Sequence, residues 1–554
     1  MSQLHHQTPN VGLPGSERRH RKGSVILYRC EPGENCDITV KVRRKAELPE
    51  PDPARPMDRA EIASIYGADP ADLDKVASTL EAYGLTVKSK SVAAHAVGFS
   101  GPVSAMEAAF GTKLSWVKVE THEYRGRTGA LDIPASLAGI VTGIFGLDTR
   151  PMIKHHHKLT TTKLDLAAAQ AALPPANTRK WFSPQELATA YQFPVGDGSG
   201  QSIAVLEFAG HYLPADLKSF LKLVGLPGEH PTVDVKTVMA LNPSDANDLG
   251  ATGEVMLDVE VVAALVPKAR IVVLFSPFTE QGWIANLDAI LSDPTAPTIV
   301  SVSYGLAEGV DPWSADAIAQ INDTLKGLAN AGVTVCISSG DDGSDDQTGD
   351  GQAHVDFPAA SPFVLAVGGT SLDKSTGDEI FWFEGDGIRP PRGTGGSGGG
   401  GVSQFSPRPN YQQGIDIPSA NPGGLAGRII PDVAANAAGG TGYIVVAPDA
   451  DPTSPTFGQS LPFVVGGTSA STPLFAALLV RIQQAGKTVG FLTPRLYAPT
   501  PATGSDPLGA SAFRDITSGN NASGGSPGYD AGPGFDALTG WGSPRGQDLL
   551  DKLS

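Results

Sequence analysis

Gly466-Gly467-Thr468-Ser469-Ala470-Ser471-Thr472-Pro473, running straight into the apolar stretch 474–482, sets two glycines and a cluster of hydroxyls ahead of a helix. Proline fits the first turn of a helix, so Ser469 is expected just before or at a helix N-terminus. Glycines let another backbone approach closely, and the helix dipole with its free amides favours an anion forming beside the serine. An acyl-transfer nucleophile belongs in such a place, although an N-capping Thr or Ser after a glycine turn uses the same residues. Outward from this segment lie buried-strand runs at 202–207, 270–275, 298–303, 333–338 and 363–367, separated by helical stretches such as 253–265 and 314–330. Strands rich in Val and Ile alternating with helices predict an α/β fold with a mostly parallel sheet covered on both faces.

A serine nucleophile needs a base. Of 11 histidines only His211, His230 and His354 follow residue 177, and none stands in the His-Gly-Thr setting of subtilisin-type enzymes. At about pH 4 a histidine with an ordinary pKa near 6.5 is protonated and no longer a base. The segment Gly253-Glu254-Val255-Met256-Leu257-Asp258-Val259-Glu260-Val261-Val262-Ala263-Ala264-Leu265 offers carboxylates instead. At about 100° per residue Glu254 and Asp258 share one helix face with Val261 and Leu265, which points them inward, whereas Glu260 is expected in solvent. Two carboxyl groups under an apolar stripe do not both ionise easily, so one holds its proton to higher pH. Ser338-Ser339-Gly340-Asp341-Asp342-Gly343-Ser344 follows a predicted strand. Carboxyl ends of parallel strands carry sites, so Asp341 is either a neutral acid donating to an oxyanion or part of an Asp-Gly turn.

The 554 residues, 40% hydrophobic and 18% charged, allow more than one domain. Residues 1–177 carry 22 Lys and Arg against 19 Asp and Glu, and residues 178–554 carry 19 against 39. Either a basic chaperone lies on an acidic body or two domains merely differ in composition, and an acidic body repels nucleic acid. Residues 1–22 are expected as a disordered arm, 23–150 as a small α+β domain and 151–177, with His155, His156 and His157, as an exposed linker of the kind proteases cut. Residues 178–554 form the main domain, within which the glycine-rich run 393–401 reads as a surface loop. No apolar run is long enough for a membrane anchor, no ordinary signal peptide is visible, and Cys30, Cys36 and Cys336 are too few for a disulfide framework.

Glu254, Asp258, Asp341 and Ser469, in that order, resemble the sedolisin family of serine-carboxyl peptidases, the kumamolisin-like members most closely. The resemblance extends over Tyr124-Arg125, Ile133-Pro134-Ala135-Ser136, Gly146-Leu147-Asp148-Thr149-Arg150-Pro151 and residues 187–194. It implies a subtilisin-like fold behind a ferredoxin-like prodomain that acts as chaperone and intramolecular inhibitor. It implies an acid-active, self-processing endopeptidase, with Glu254 as general base and acid, Asp258 orienting it, and Asp341 in the oxyanion hole. Polypeptides are the implied substrates, the expected setting is extracellular and the expected state monomeric. Glu207 matches a Glu that extends the proton network in kumamolisin-like enzymes, but Tyr304 stands where a Trp is expected. The resemblance also implies one structural Ca2+, held by the carboxylates of Asp515 and Asp536 and the carbonyls of Ile516, Gly532 and Gly534, an all-oxygen set that suits this ion. Asp356 reads as a structural acid or as the lining of a subsite for a basic residue. Open alternatives are a tripeptidyl exopeptidase, a hydrolase using one of the three histidines, and a silent binding protein on the same fold. Acidification is expected to charge His155–His157 and loosen the prodomain.

Overall fold

The computed structural model describes residues 10–119, 122–152, 154–155, 158–164, 174–229, 231–309, 313–389 and 395–554. Its centre is an eight-stranded sheet in the order Thr232–Thr237, Arg270–Phe275, Ser202–Glu207, Ile299–Val302, Thr334–Ser338, Leu365–Leu372 and Glu379–Phe381, with Val433–Asn436 also paired to Leu365–Leu372. Every pairing is parallel except that to Glu379–Phe381.

The pleat explains why these strands are apolar without alternation. Along Ser202–Glu207, Ile203 and Val205 enter one core with Val255, Val259 and Val262, while Ala204 and Leu206 enter the other with Trp283, Leu287 and Ile321. Helices Leu249–Leu265 and Thr468–Gln484 cover the first face, and Glu280–Ser292 and Ala315–Asn330 the second.

The N-terminal region has its own core around the antiparallel sheet Thr86–Ser91, Ala96–Pro102, Asn35–Val42 and Val141–Phe145, closed by helices Pro70–Glu81 and Val103–Phe110. It docks on the second helical layer. The Lys41 ammonium donates to Asp288 at 2.7 Å, the Arg44 guanidinium to Asp323 at 2.7 Å, and Arg59 to the carbonyls of Ala296 and Pro297 at 2.7 and 2.9 Å. Basic groups of the first region thus meet acids and carbonyls of the second.

Two expectations are corrected here. Within the stretch expected as a disordered arm, Asn10–Gly12 pairs with Asp132–Pro134 and the buried Arg18 ion-pairs with Glu280, because this one cation of the basic cluster finds a buried carboxylate on the body. The linker is not simply exposed chain. Lys154–His155 pairs with Tyr304–Ala307, and Lys158–Lys163, rich in β-branched Thr, pairs with Ser460–Gly466. His156 and His157 lie outside the described residues. The three cysteines are buried and free, and no helix among the described residues is long and apolar enough to cross a membrane.

Candidate active site

Ser469 is the second residue of helix Thr468–Gln484, entered through Gly467 at φ 112°, a conformation that favours glycine. Pro473 falls one turn later than the sequence suggested, inside the helix. Lacking an N–H, it leaves the Ser469 carbonyl without its usual helical donor, and the Ser303 hydroxyl sits 3.4 Å from that oxygen. The Ser469 hydroxyl lies 3.3 Å from the Ser303 carbonyl and within hydrogen-bond reach of the Glu254 carboxyl.

Glu254 and Asp258 stand one turn apart on helix Leu249–Leu265, whose start is capped by Asp248 accepting from the Ala251 N–H at 3.0 Å. Both carboxyls are fully buried. The Ser303 hydroxyl lies 2.9 Å from each Asp258 oxygen, and the Tyr304 hydroxyl donates to Glu207 at 2.6 Å. Burial raises Glu254 above the ordinary carboxylate range, against the pull of the Ser469 hydroxyl and the Arg389 charge. Burial, reinforced by the Glu254 charge, drives Asp258 well above the carboxylate range. Glu207 is raised likewise by burial and by the Asp258 charge, with the Tyr304 bond opposing. Three carboxyls buried this close together do not all ionise easily, so protons are shared among them.

Asp341 follows strand Thr334–Ser338 and reaches the same helix terminus. Its Oδ1 accepts from the Thr468 N–H at 2.8 Å and the Thr468 hydroxyl at 2.7 Å, and burial pushes the carboxyl up to about 7. Gly340, at φ 108°, is required beside it, since a Cβ there would lie 2.2 Å from Asp356 Oδ2. The four residues picked out in sequence are therefore brought together, with Asp356 packed behind Asp341.

Glu260 is a correction. It is fully buried and accepts from the Val446 N–H at 2.8 Å, because strand Tyr443–Pro448 covers the helix side expected in solvent. The glycine-rich run is a second. Its residues 395–401 are buried against Asp341, with the Ser397 N–H donating to the Asp341 carbonyl at 2.9 Å and the Gly399 N–H to the Gly340 carbonyl at 2.8 Å. A Cβ at Gly399 would stand 2.2 Å from the Ser339 carbonyl, so glycine serves close backbone packing. Residues 390–394 lie outside the described residues.

Sequence reasoning missed Ser303 and Arg389. Ser303 was within reach, as a polar residue ending an apolar parallel strand. Arg389 carries no such signal. Of the candidate histidines, His211 bonds the Ala246 carbonyl at 3.0 Å and His354 pairs with Asp350 at 3.0 Å, while His230 lies outside the described residues.

Residues 47–150 match the Pro-kumamolisin activation domain, and residues 255–541 match the Subtilase family. Kumamolisin of Bacillus sp. (strain MN-32) is 41% identical over 558 residues, covering 99% of this chain and 94% of the relative. The chain belongs to the sedolisin family of serine-carboxyl peptidases. Another relative in these comparisons is Tripeptidyl-peptidase 1 of Bos taurus, 28% identical and covering 98% of this chain and 95% of the relative. The solved structure of Pseudomonas sedolisin, a serine-carboxyl proteinase, aligns with a TM-score of 0.56 at 26% identity, over 67% of this chain and 98% of that one. The chain is thus a hydrolase with a subtilisin-like domain behind an activation domain, the plan of a zymogen.

Asp515 and Asp536 face one glycine turn. The Gly534 N–H donates to Asp515 at 2.8 Å and the Gly532 N–H to Asp536 at 3.1 Å, and burial pushes Asp536 up to about 6. Among the described residues no group of three or more His, Cys, Asp or Glu side chains assembles, so an ion here needs backbone carbonyls as well. Two carboxylates meeting on one turn are oxygen donors of the kind a hard cation takes.

Proposed function

We propose that this sedolisin is an acid-active endopeptidase that cuts itself free of its prodomain. Ser469 Oγ attacks a peptide carbonyl carbon while Glu254 takes the hydroxyl proton. The new oxyanion receives a hydrogen bond from protonated Asp341 Oδ2 and from backbone N–H groups at the helix start. Glu254 then passes its proton to the leaving amine, which departs and leaves an acyl ester on Ser469. Water, deprotonated by Glu254, attacks the ester, and the proton returns to Ser469 as the acid product leaves. Asp258, held by Ser303, and Glu207, held by Tyr304, keep the shared charge next to Glu254.

The observation that carries this reading is the Ser469 hydroxyl within hydrogen-bond reach of the buried Glu254 carboxyl, while His211 and His354 are held by Ala246 and Asp350. The linker supports self-processing, since its paired strands flank the site, one on Tyr304–Ala307 and the other on the strand that runs into Gly466. We further propose that Asp515 and Asp536, with the carbonyls of Ile516, Gly532 and Gly534, hold one Ca2+ that ties the C-terminal turn and takes no part in catalysis. A chelator is then expected to lower the Tm, and added Ca2+ to restore it.

The test is digestion of a denatured protein at about pH 4 by the wild type and the variants Glu254→Gln, His211→Ala and His354→Ala. Internal cuts by all but Glu254→Gln are expected. Loss in a histidine variant with retention in Glu254→Gln would overturn the carboxyl mechanism. Release of tripeptides from N-termini alone would instead make this chain an exopeptidase, in keeping with its relatives named tripeptidyl-peptidase.

A further inference from the structure

Arg389 is a fully charged side chain in the interior of the site, 9% exposed, and the mechanism above does not use it. Its Nε and Nη2 donate to Asp342 Oδ2 at 3.0 and 2.7 Å, its backbone N–H donates to Asp342 Oδ1 at 2.8 Å, and Gln347 Nε2 holds that same Oδ1 at 2.9 Å. Asp346 and Gln347 both take left-handed φ, 47° and 60°, and so turn the acidic loop back on itself. Clamped in this way, Arg389 leaves Nη1 3.6 Å from Asp341 Oδ2. Among the described residues that oxygen has no hydrogen-bond donor, whereas Asp341 Oδ1 already accepts two. Only Oδ2 can therefore carry the proton that an oxyanion would receive, and Arg389 is the cation that faces it.

We infer that Arg389 is a positioning residue that fixes the Asp341–Asp342 loop and sets the pH range of the reaction through its charge. The inference rests on the roles assigned above to Asp341 and Glu254. Among the described residues the charged groups facing Arg389 include Asp342, Asp341 and Asp346, and its own field reaches Glu254. A cation near a carboxyl favours the ionised form. Arg389 therefore lets Glu254 ionise at lower pH, which opens the reaction to acid, and makes Asp341 lose its proton sooner, which closes it towards alkali. Asp342 partly offsets that charge, and so both limbs of the pH profile answer to the pair.

The experiment measures kcat and kcat/KM against pH on an internally quenched peptide, for enzyme matured from the full chain, with wild-type enzyme added in trans where a variant matures slowly. Arg389→Gln is expected to move both limbs up by about one pH unit, and Asp342→Asn, which leaves the cation less neutralised, to move them down. Arg389→Lys, keeping the charge without the bidentate clamp, is expected to lower kcat with the limbs in place. If Arg389→Gln folds poorly, the double variant Arg389→Gln with Asp342→Asn avoids a lone buried carboxylate and is still expected to shift the limbs upwards. Limbs that stay fixed in Arg389→Gln or in the double variant, with activity merely reduced, would overturn the inference. Asp341→Ala separates the two layers. Full activity there would sink the oxyanion assignment itself, whereas an inactive Asp341→Ala beside unshifted Arg389 variants sinks only the role of Arg389.

Discussion

Two buried clusters of charge in this molecule are built in opposite ways. Around helix Leu249–Leu265 the carboxyls of Glu254, Asp258 and Glu207 are packed with hydroxyls, and burial raises all three. Between the prodomain and helices Glu280–Ser292 and Ala315–Asn330 the carboxyls are matched by cations. Lys41 meets Asp288 and Arg44 meets Asp323, which also lies against the His95 ring. Burial alone would raise Asp323, but the His95 bond and the Arg44 charge outweigh it and hold it below the usual range. The same solvent exclusion thus stores protons in one place and fixed charge in the other. Acid is therefore expected to act mainly on the second, which lies between the prodomain and the body.

His95 gives that difference a direction. It sits at φ 38°, unusual for a non-glycine residue, with Nδ1 on the Val42 carbonyl at 2.7 Å and Nε2 on Gln320 and Asp323. Burial first, then the Lys41 charge, depress its pKa, against the Asp323 bond. A released prodomain would take up a proton at His95 near the ordinary value of about 6.5, which the docked form resists. The His95 contribution to docking is therefore expected to be present above that pH and to be lost as pH falls below it. Asp323, depressed in the docked form, adds a second loss at lower pH, below about 4.

Substitutions can break or sharpen this contrast. Asp341→Ala, on the catalytic side, is expected to cut kcat by about 10²- to 10³-fold with little change in KM, since it removes an oxyanion donor. Lys41→Met leaves Asp288 buried without its cation and is expected to cost about 3–5 kcal/mol of prodomain docking, visible as a lower Tm in the uncut Ser469→Ala background and as processing near neutral pH. His95→Gln removes the titrating group and is expected to move the processing midpoint down by about one pH unit, while the pH profile of the mature enzyme stays put. A mature-enzyme profile that moved as well would tie the two clusters together. Tyr304→Phe removes one donor from Glu207 and is expected to lower kcat by only about two- to tenfold.

What the sequence disclosed followed from how local each signal was. Glu254 and Asp258 share a helix face with Val261 and Leu265, and Ser469 is announced by its glycines, so both could be read within one segment. Glu260 could not, because the strand that buries it, Tyr443–Pro448, is far along the chain and leaves no mark on the helix's own pattern. The glycines at 395–401 looked like a loose loop since their purpose, close approach to Ser339 and Gly340, exists only in the fold. Arg389 illustrates the limit most sharply. Its meaning depends on Asp341 and Asp342, 47 residues before it for the ion pair with Asp342, and a lone arginine beside a glycine run gives no motif to notice. The prodomain's docking was foreshadowed by the charge split, but the particular pairs were not.

The central claim is that a buried carboxyl, not a histidine, serves Ser469 in an enzyme that frees itself in acid. Mass spectrometry of the full chain and of its Ser469→Ala and Glu254→Gln variants, after incubation at about pH 4 and about pH 7, tests it most directly. The account predicts loss of the first ~150–180 residues in acid from the wild type alone. Trimming of Glu254→Gln at the wild-type rate, or of Ser469→Ala in the absence of any other protease, would contradict it.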